Sequence, residues 1–244
     1  MRVRILKDEQ AVARAVASRV LDTLRRHPDL VLGLPTGRTP VRLYELLRNA
    51  HAAGRADFSS ATTFNLDEFC GLPASHPASY RAFMETQLFG HINMPRRRMH
   101  FLSGTAPDPD AECARYEAAI ARAGGIDLMI LGLGSNGHIG FNEPASALTA
   151  DTHRARLAPG TRRSNAALFE GRVQAVPKEA LSMGVGTILR SQAIVLMATG
   201  AGKADAVAAM VHGPVTTRMP ASMLQLHRDA EVVVDVAAAA GLSG

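Results

Sequence analysis

Short apolar runs alternate along this chain with stretches in which hydrophobic residues recur at helical spacing. Val12, Val16 and Val20 recur every four residues and predict an amphipathic helix over residues 9–26. The run LVLGL at 30–34 follows and has the continuous apolar character of a strand buried on both faces of a parallel sheet. Repeated alternation of this kind predicts an open, mainly parallel α/β sheet with helices on both faces, of the Rossmann-like type.

The same alternation continues to the end of the sequence. Further strands are predicted at ATTFNL (61–66), MHFL (near 99–102), IDLMILGL (126–133), AIVLMAT (193–199) and AEVVVDV (230–236). Helices are predicted at SYRAFMETQLF, PDAECARYEAAIARAG, VPKEALSMGVGTIL (176–189) and GKADAVAAMVHG. No linker or fixed-period repeat divides the chain, so we expect one domain over residues 1–244. Its least regular segment, 144–176, is either a mobile lid beside a site or an ordinary surface excursion.

Composition and charge argue against several classes of protein. Hydrophobic residues make up 47% of the sequence and charged residues 20%, which is typical of a folded globular chain. No apolar run has the length of a membrane span, no secretory signal is readable, and the two cysteines lack metal-ligand spacing. We therefore expect a cytoplasmic protein without membrane contact or a bound metal. The formal charge of +5 is spread along the chain, which fits an anionic small substrate and does not indicate nucleic acid.

Ligands of open α/β sheets bind beyond the carboxyl ends of the strands, and the first loop there is GLPTGRTP at 33–40. Gly37 allows a tight turn, Thr39 is placed to cap the next helix, and Pro40 fits its first position. Free backbone N–H groups, with the Thr36 and Thr39 hydroxyls, would form a cradle for phosphate. A strand-to-helix turn without a ligand explains the same residues equally well.

The second loop, FNLDEFCGLP at 64–73, places Asp67 and Glu68 directly after an apolar strand. Adjacent strand residues point in opposite directions, so we expect only one of the two carboxylates to face the crevice. A partly desolvated carboxylate has a raised pKa and can take a proton from carbon and return it. The alternative is a pair of capping carboxylates in solvent.

The third loop, GSNGHIGFNEP at 134–144, holds a histidine and a carboxylate among three glycines. Gly134 and Gly137 let the backbone turn closely around a bound group, and His138 can exchange a proton near neutral pH. Glu143 is predicted to hold one ring nitrogen and fix the tautomer, leaving the other nitrogen for substrate. A structural histidine is the competing interpretation.

Five segments together resemble a known family. LGLPTGRTP, TFNLDEFCGL, GLGSNGHIGFNEPAS, VPKEALSMGVGTIL and ATGAGKADAV match, in order and over nearly the whole chain, the glucosamine-6-phosphate deaminases within the wider sugar-phosphate isomerase and lactonase group. The resemblance implies a cofactor-free hydrolase of amino-sugar catabolism that converts glucosamine 6-phosphate and water to fructose 6-phosphate and ammonia. It also implies that His138 opens the pyranose ring, that Glu143 orients it, and that Asp67 carries a proton between C2 and C1.

The resemblance extends to the phosphate site. Thr36, Gly37 and Thr39 fall where the family holds the sugar phosphate, and Lys203 of GAGKA falls on a lysine that contacts the same group. Arg38, where the family often has Gly or Ser, would add a guanidinium beside this cradle.

Three features depart from the family pattern. Ala167 stands where an arginine usually reaches the phosphate, so Arg162 or Arg163 would have to replace it. Asn136 stands where some members have the aspartate of a triad, which leaves Glu143 to balance a cationic imidazole. The segment ALTADTHRARL lacks the basic pair of allosteric members, so we expect no activation by N-acetylglucosamine 6-phosphate.

Several alternatives stay open at the level of sequence. An epimeric substrate such as galactosamine 6-phosphate differs by the direction of one hydroxyl, which the sequence does not disclose. A 6-phosphogluconolactonase needs no proton shuttle at carbon, so Asp67 argues against it. A non-enzymatic sugar-phosphate binder would need no acid and base groups. Homo-oligomerisation is left open, because no symmetric patch is readable.

Overall fold

The computed structural model describes residues 1–242. The strands are β1 (Arg2–Leu6), β2 (Val31–Leu34), β3 (Thr62–Asn65), β4 (Asp67–Phe69), β5 (Met99–His100), β6 (Leu128–Gly132), β7 (His153–Arg156), β8 (Glu179–Ser182), β9 (Ala193–Ala198) and β10 (Ala230–Asp235). The α-helices are α1 (Glu9–Arg26), α2 (Val41–Ala52), α3 (Tyr80–Gln87), α4 (Pro109–Arg122), α5 (Pro159–Asn165), α6 (Val185–Leu189) and α7 (Ala204–His212). Short 3₁₀ turns span Phe89–His91, Arg96–Arg98, Ala166–Phe169, Val173–Ala175, Ala201–Lys203, Pro220–Leu226 and Ala240–Leu242.

Seven strands form one sheet in the order β1-β10-β9-β6-β2-β3-β5, and every neighbouring pair is parallel. The central strand β6 is buried on both faces. Leu128 and Ile130 pack into a core cluster with residues of α1 and α2, whereas Met129 and Leu131 pack on the opposite side with residues of α4 and α7. The open, parallel, Rossmann-like sheet with helices on both faces is therefore confirmed, as are the bounds of the first helix.

A second, antiparallel sheet of three strands has the order β4-β8-β7. It corrects one prediction made from the sequence, because residues 176–189 were expected to form a helix and instead form β8 followed by the short helix α6. The strand β8 pairs with β4 on one side and with β7 on the other, which holds residues 179–182 in an extended conformation. Strands β1, β4 and β7 were also not predicted.

The segment 144–176 is more regular than expected, since it contains β7, α5 and two 3₁₀ turns. Phe169 packs against Phe69 with ring centroids 5.6 Å apart, so part of the segment closes a small apolar cluster under the second sheet. The lid role of this segment stays a prediction. In the part of the chain that the structure describes, no helix is both long and apolar enough to cross a membrane.

Candidate active site

The loops singled out in the sequence meet at one edge of the main sheet. The loops 35–40, 133–143 and 199–203 follow β2, β6 and β9, and Asp67 lies two residues beyond the end of β3. Because β9, β6, β2 and β3 are consecutive in a parallel sheet, their carboxyl ends lie side by side. This is the crevice in which open α/β sheets bind ligands.

Asp67 is the first residue of β4 and is only 7% exposed. Its Oδ1 atom is buried and accepts no hydrogen bond from any residue between 1 and 242. The nearby Ser182 hydroxyl is already occupied, since it accepts from the Phe141 N–H (3.0 Å) and donates to the Met183 carbonyl (3.1 Å). Burial, helped by the neighbouring Glu68 carboxylate, raises the pKa of Asp67 from 3.8 to about 8.

Glu68 points away from Asp67 and stabilises the local backbone. Its two carboxylate oxygens accept from the backbone N–H groups of Phe69 (2.9 Å), Tyr80 (3.0 Å) and Arg81 (3.0 Å), so it holds the start of α3. Burial raises the pKa of Glu68, although these hydrogen bonds work against the rise. As strand alternation predicts, only one carboxylate of the pair is directed to the crevice.

His138, Asn136 and Glu143 form a hydrogen-bonded relay on the loop after β6. The Asn136 amide donates through Nδ2 to Glu143 Oε2 (2.8 Å), which turns its Oδ1 toward His138 Nδ1 at 2.6 Å. Glu143 Oε2 itself is 3.5 Å from Nδ1. Glu143 therefore lies close enough to pair with a protonated ring, while Asn136 Oδ1 makes the shorter contact with Nδ1. The role of Glu143 in fixing the tautomer stays a prediction. With Nδ1 donating to an amide oxygen, the neutral ring leaves Nε2 as an acceptor for substrate.

Glu143 is held from a second side by residues of the segment 144–176. Its Oε1 atom accepts from the Thr161 hydroxyl and from the Ala158 N–H (3.3 Å). Burial acts to raise the pKa of Glu143, but hydrogen bonds from His138, Thr161 and Asn136 outweigh it and bring the pKa to about 2. Glu143 is thus a fixed negative charge at neutral pH.

Two glycines let the relay loop approach its neighbours closely. A Cβ at Gly134 would clash with the His138 ring, which packs directly against this backbone. Gly140 has a φ of +56° and brings the loop next to the second sheet, where a Cβ would lie 3.0 Å from Ser182 Oγ and 3.8 Å from Asp67 Oδ2. The relay and the Asp67 carboxyl therefore share one crevice.

The loop after β2 has the free donors expected of an anion cradle. Within residues 1–242, the backbone N–H groups of Thr36, Gly37, Arg38 and Thr39 donate no hydrogen bond, and Gly37 has a φ of +96°. One detail differs from expectation: α2 begins at Val41, and within the described chain no side chain, including that of Thr39, caps it. Thr39 is thereby left available to a ligand.

Lys203 and Arg38 bring positive charge to the same place. The Lys203 side chain is half-buried, and burial together with the nearby Arg38 guanidinium lowers its pKa. Arg38, Thr39 and Thr199 also line one cavity of about 320 Å³, so the loops after β2 and β9 border the same space. Two cations thus flank the cradle.

The structure does not support the phosphate-binding role predicted for Arg162. Its guanidinium donates to the carbonyls of Val173 (3.0 Å) and Val176 (2.9 Å and 3.2 Å), so it stabilises the segment 144–176 internally. Ala167 and Arg163 are exposed on the same segment.

Residues 7–234 match the family model described as glucosamine-6-phosphate isomerases/6-phosphogluconolactonase. The chain belongs to this family. A glucosamine-6-phosphate deaminase of Shewanella loihica is 50% identical over 244 residues, covering 100% of this chain and 90% of that protein. A protein named glucosamine-6-phosphate deaminase 2 from Bacillus subtilis is 46% identical over 240 residues, covering 98% and 96%.

Solved structures of the family have the same fold. A structure described as a monomeric glucosamine-6-phosphate deaminase superposes with a TM-score of 0.95 at 39% identity, covering 99% of this chain and 100% of that one. A 6-phosphogluconolactonase from Trypanosoma cruzi superposes with a TM-score of 0.80 at 18% identity, covering 100% and 97%, and shows likeness of fold alone.

Sequence reasoning missed Tyr80, Thr161 and Asn165. The Tyr80 hydroxyl donates to Asn165 Oδ1 (3.3 Å), and burial, with Asp67 nearby, raises the pKa of Tyr80 well above 10. Thr161 and Asn165 lie in a polar stretch with no readable period, so nothing in the sequence marks them as site residues. Among residues 1–242, no group of three His, Cys, Asp or Glu side chains is placed to hold a metal ion.

Proposed function

We propose that this chain converts glucosamine 6-phosphate and water to fructose 6-phosphate and ammonia in amino-sugar catabolism. The observation that carries the proposal is, beside the His138 relay, the buried carboxyl of Asp67, whose Oδ1 has no hydrogen-bond partner among residues 1–242 and whose pKa is raised to about 8. A base of this kind suits proton transfer at carbon. The names of the similar deaminases supply the substrate.

The relay is suited to opening the sugar ring. His138 Nε2 takes the proton of the O1 hydroxyl, and the imidazolium returns a proton to the ring oxygen as the C1–O bond breaks. The positive charge that forms on His138 is balanced by Glu143, which stays ionised because its pKa is about 2. The Asn136 amide is hydrogen-bonded to both Glu143 and His138 and so fixes the orientation of the ring relative to the carboxylate.

Asp67 then carries out the aldose-to-ketose shift. Its carboxylate removes the C2 proton of the open-chain aldehyde while the C2 ammonium gives a proton to the C1 oxygen, which forms an enolamine. The Asp67 carboxylic acid then returns its proton to C1. The product has an iminium group at C2, and water cleaves this group to a ketone and ammonia. Because water breaks the C–N bond, we propose that the reaction is a hydrolytic deamination coupled to isomerisation.

The phosphate is proposed to lie on the loop after β2. The free N–H groups of residues 36–39, the Thr36 and Thr39 hydroxyls, and the Lys203 ammonium supply the donors. Arg38 supplies the guanidinium that the family takes from the position of Ala167. These groups all come from one chain, so we propose that the site is complete in a protomer. We also propose that the protein is located in the cytoplasm.

The proposal is tested by ammonia release from glucosamine, galactosamine and mannosamine 6-phosphates, with 6-phosphogluconolactone hydrolysis measured in parallel. We expect glucosamine 6-phosphate to react fastest, and N-acetylglucosamine 6-phosphate to leave the rate unchanged. Faster release from the galactosamine epimer would reassign the substrate. Hydrolysis of the lactone without ammonia release from any amino sugar would refute the proposed function.

A further inference from the structure

One face of the short helix α5 is directed at the relay. Thr161 is 4% exposed, and its hydroxyl donates to Glu143 Oε1, as does the backbone N–H of Ala158 (3.3 Å) just before the helix. Asn165, one turn later, accepts from the Tyr80 hydroxyl (3.3 Å). Residues four apart lie on the same helix face, so α5 contacts two groups of the crevice at once.

The two oxygens of Glu143 are divided between α5 and the relay. Oε1 accepts from Thr161 and Ala158, and Oε2 accepts from Asn136 at 2.8 Å. A carboxylate turns easily about its terminal bond, because that torsion is broad. The contacts from α5 fix this torsion, and with it the oxygen that faces Asn136.

The direction of the Thr161 hydroxyl argues for more than local helix packing. A helical threonine commonly donates to the carbonyl four residues earlier, which here would be that of Leu157. Thr161 instead donates to a carboxylate 18 residues away in the sequence. Its own carbonyl accepts from Ser164 Oγ (2.9 Å) and Asn165 Nδ2 (2.9 Å), so the turn is already stabilised without the hydroxyl.

We propose that Thr161 is a positioning residue for ring opening. It holds Glu143 so that Asn136 keeps the His138 ring in the tautomer with a free Nε2. This inference rests on the proposed function. Thr161 acts through Glu143 and Asn136 and need not touch the sugar.

The test compares Thr161→Val, which removes the hydroxyl at nearly the same volume, with Thr161→Ser, which retains it. We expect Thr161→Val to lower kcat by about tenfold to a hundredfold, with KM changed less than about threefold, because a charge-assisted hydrogen bond is lost. The acidic limb of the kcat profile should move to higher pH, since the Glu143 carboxylate loses a donor. Thr161→Ser should recover most of the rate.

The matched control is Ser164→Ala, which removes a hydroxyl from the same helix without touching Glu143. It should keep the wild-type rate. An open-chain amino alcohol, 2-amino-2-deoxyglucitol 6-phosphate, needs no ring opening and should bind wild type and Thr161→Val equally well. A parental rate and an unchanged acidic limb in Thr161→Val would overturn the proposal, and so would equal losses in Thr161→Val and Ser164→Ala.

The failure of this proposal is distinguishable from failure of the proposed function. If wild type releases no ammonia, the function fails. If wild type is active and Thr161→Val matches it, only the role of Thr161 fails. A ¹³C titration of the Glu143 carboxyl gives a readout without turnover, and an unchanged pKa in Thr161→Val would also contradict the proposed contact.

Discussion

Asp67 and Glu143 are both largely buried carboxyls on the same crevice, yet their surroundings are opposite. No residue between 1 and 242 donates a hydrogen bond to the buried Oδ1 of Asp67, whereas Glu143 accepts from Asn136, Ala158 and Thr161. Burial favours the neutral form of each, but hydrogen bonding reverses its effect at Glu143, and the pKa values are about 8 and about 2. One group is therefore able to exchange a proton, and the other serves as a constant charge.

Removal of the Asp67 carboxyl, which exchanges the proton, should lower kcat more than any other change considered. Asp67→Asn retains the shape of the side chain but cannot take a proton from C2, so kcat should fall by about 10²-fold to 10⁴-fold. Ammonia release measures the loss, and thermal unfolding checks that the variant is folded. A folded Asp67→Asn protein with more than a tenth of the parental kcat would contradict the role of Asp67.

Neutralising the fixed charge of Glu143 should lower kcat by a smaller factor. Glu143→Gln leaves the histidine in place but removes the charge that balances its protonated form, so kcat should fall by roughly tenfold to a hundredfold. The same ammonia assay applies. If Glu143→Gln were slower than Asp67→Asn, the proton carrier and the fixed charge would have been assigned the wrong way round.

The two carboxyls should also have opposite effects on stability as the pH changes. Asp67 binds its proton more tightly in the folded than in the unfolded chain, so its contribution is complete below about pH 4 and is lost as the pH rises through about 8. Glu143 has a lowered pKa, so its contribution is present above about pH 4.5 and is lost as the pH falls toward 2.

Urea unfolding of wild type and Asp67→Asn from pH 5 to pH 9 checks this behaviour. The variant should become relatively more stable as the pH rises, because it carries no charge to bury. A constant stability difference across that range would mean that the pKa of Asp67 is not raised in the folded chain.

Substitution of Glu68, the neighbour of Asp67, should have the smallest effect on activity. Glu68→Gln weakens the hydrogen bonds that hold the start of α3, so the free energy of unfolding should fall by about 1–3 kcal/mol. The value of kcat should stay within about threefold of wild type, because Glu68 faces away from Asp67. A large loss of kcat without a loss of stability would show that Glu68 takes part in the chemistry.

Six of the seven strands of the main sheet could be predicted because they are apolar runs with helices between them, whereas β1 alternates with arginines and was missed. The antiparallel sheet could not, because β4 has three residues and its partner β8 lies more than 100 residues away, as in the pairing of Asp67 with Ser182. Local sequence carries no signal for such a pairing. The helix expected over residues 176–189 was wrong for the same reason.

The positions of the site residues were readable from motifs, but their contacts were not. The sequence placed Asn136, His138 and Glu143 on one loop, and the structure adds that the Asn136 amide contacts both of the other side chains. Thr161 was missed because its partner is 18 residues away. Arg162 was expected to replace the arginine missing at Ala167, but its guanidinium donates to nearby carbonyls.

The contrast between the two carboxyls is tested most directly by a ¹³C NMR titration of the carboxyl carbons in the ligand-free protein. Asp67→Asn and Glu143→Gln assign the two signals by their disappearance. We predict that the Asp67 carboxyl titrates near pH 8 and that Glu143 stays ionised down to about pH 3. If both carboxyls titrated together near pH 4, the division into a proton carrier and a fixed charge would be contradicted.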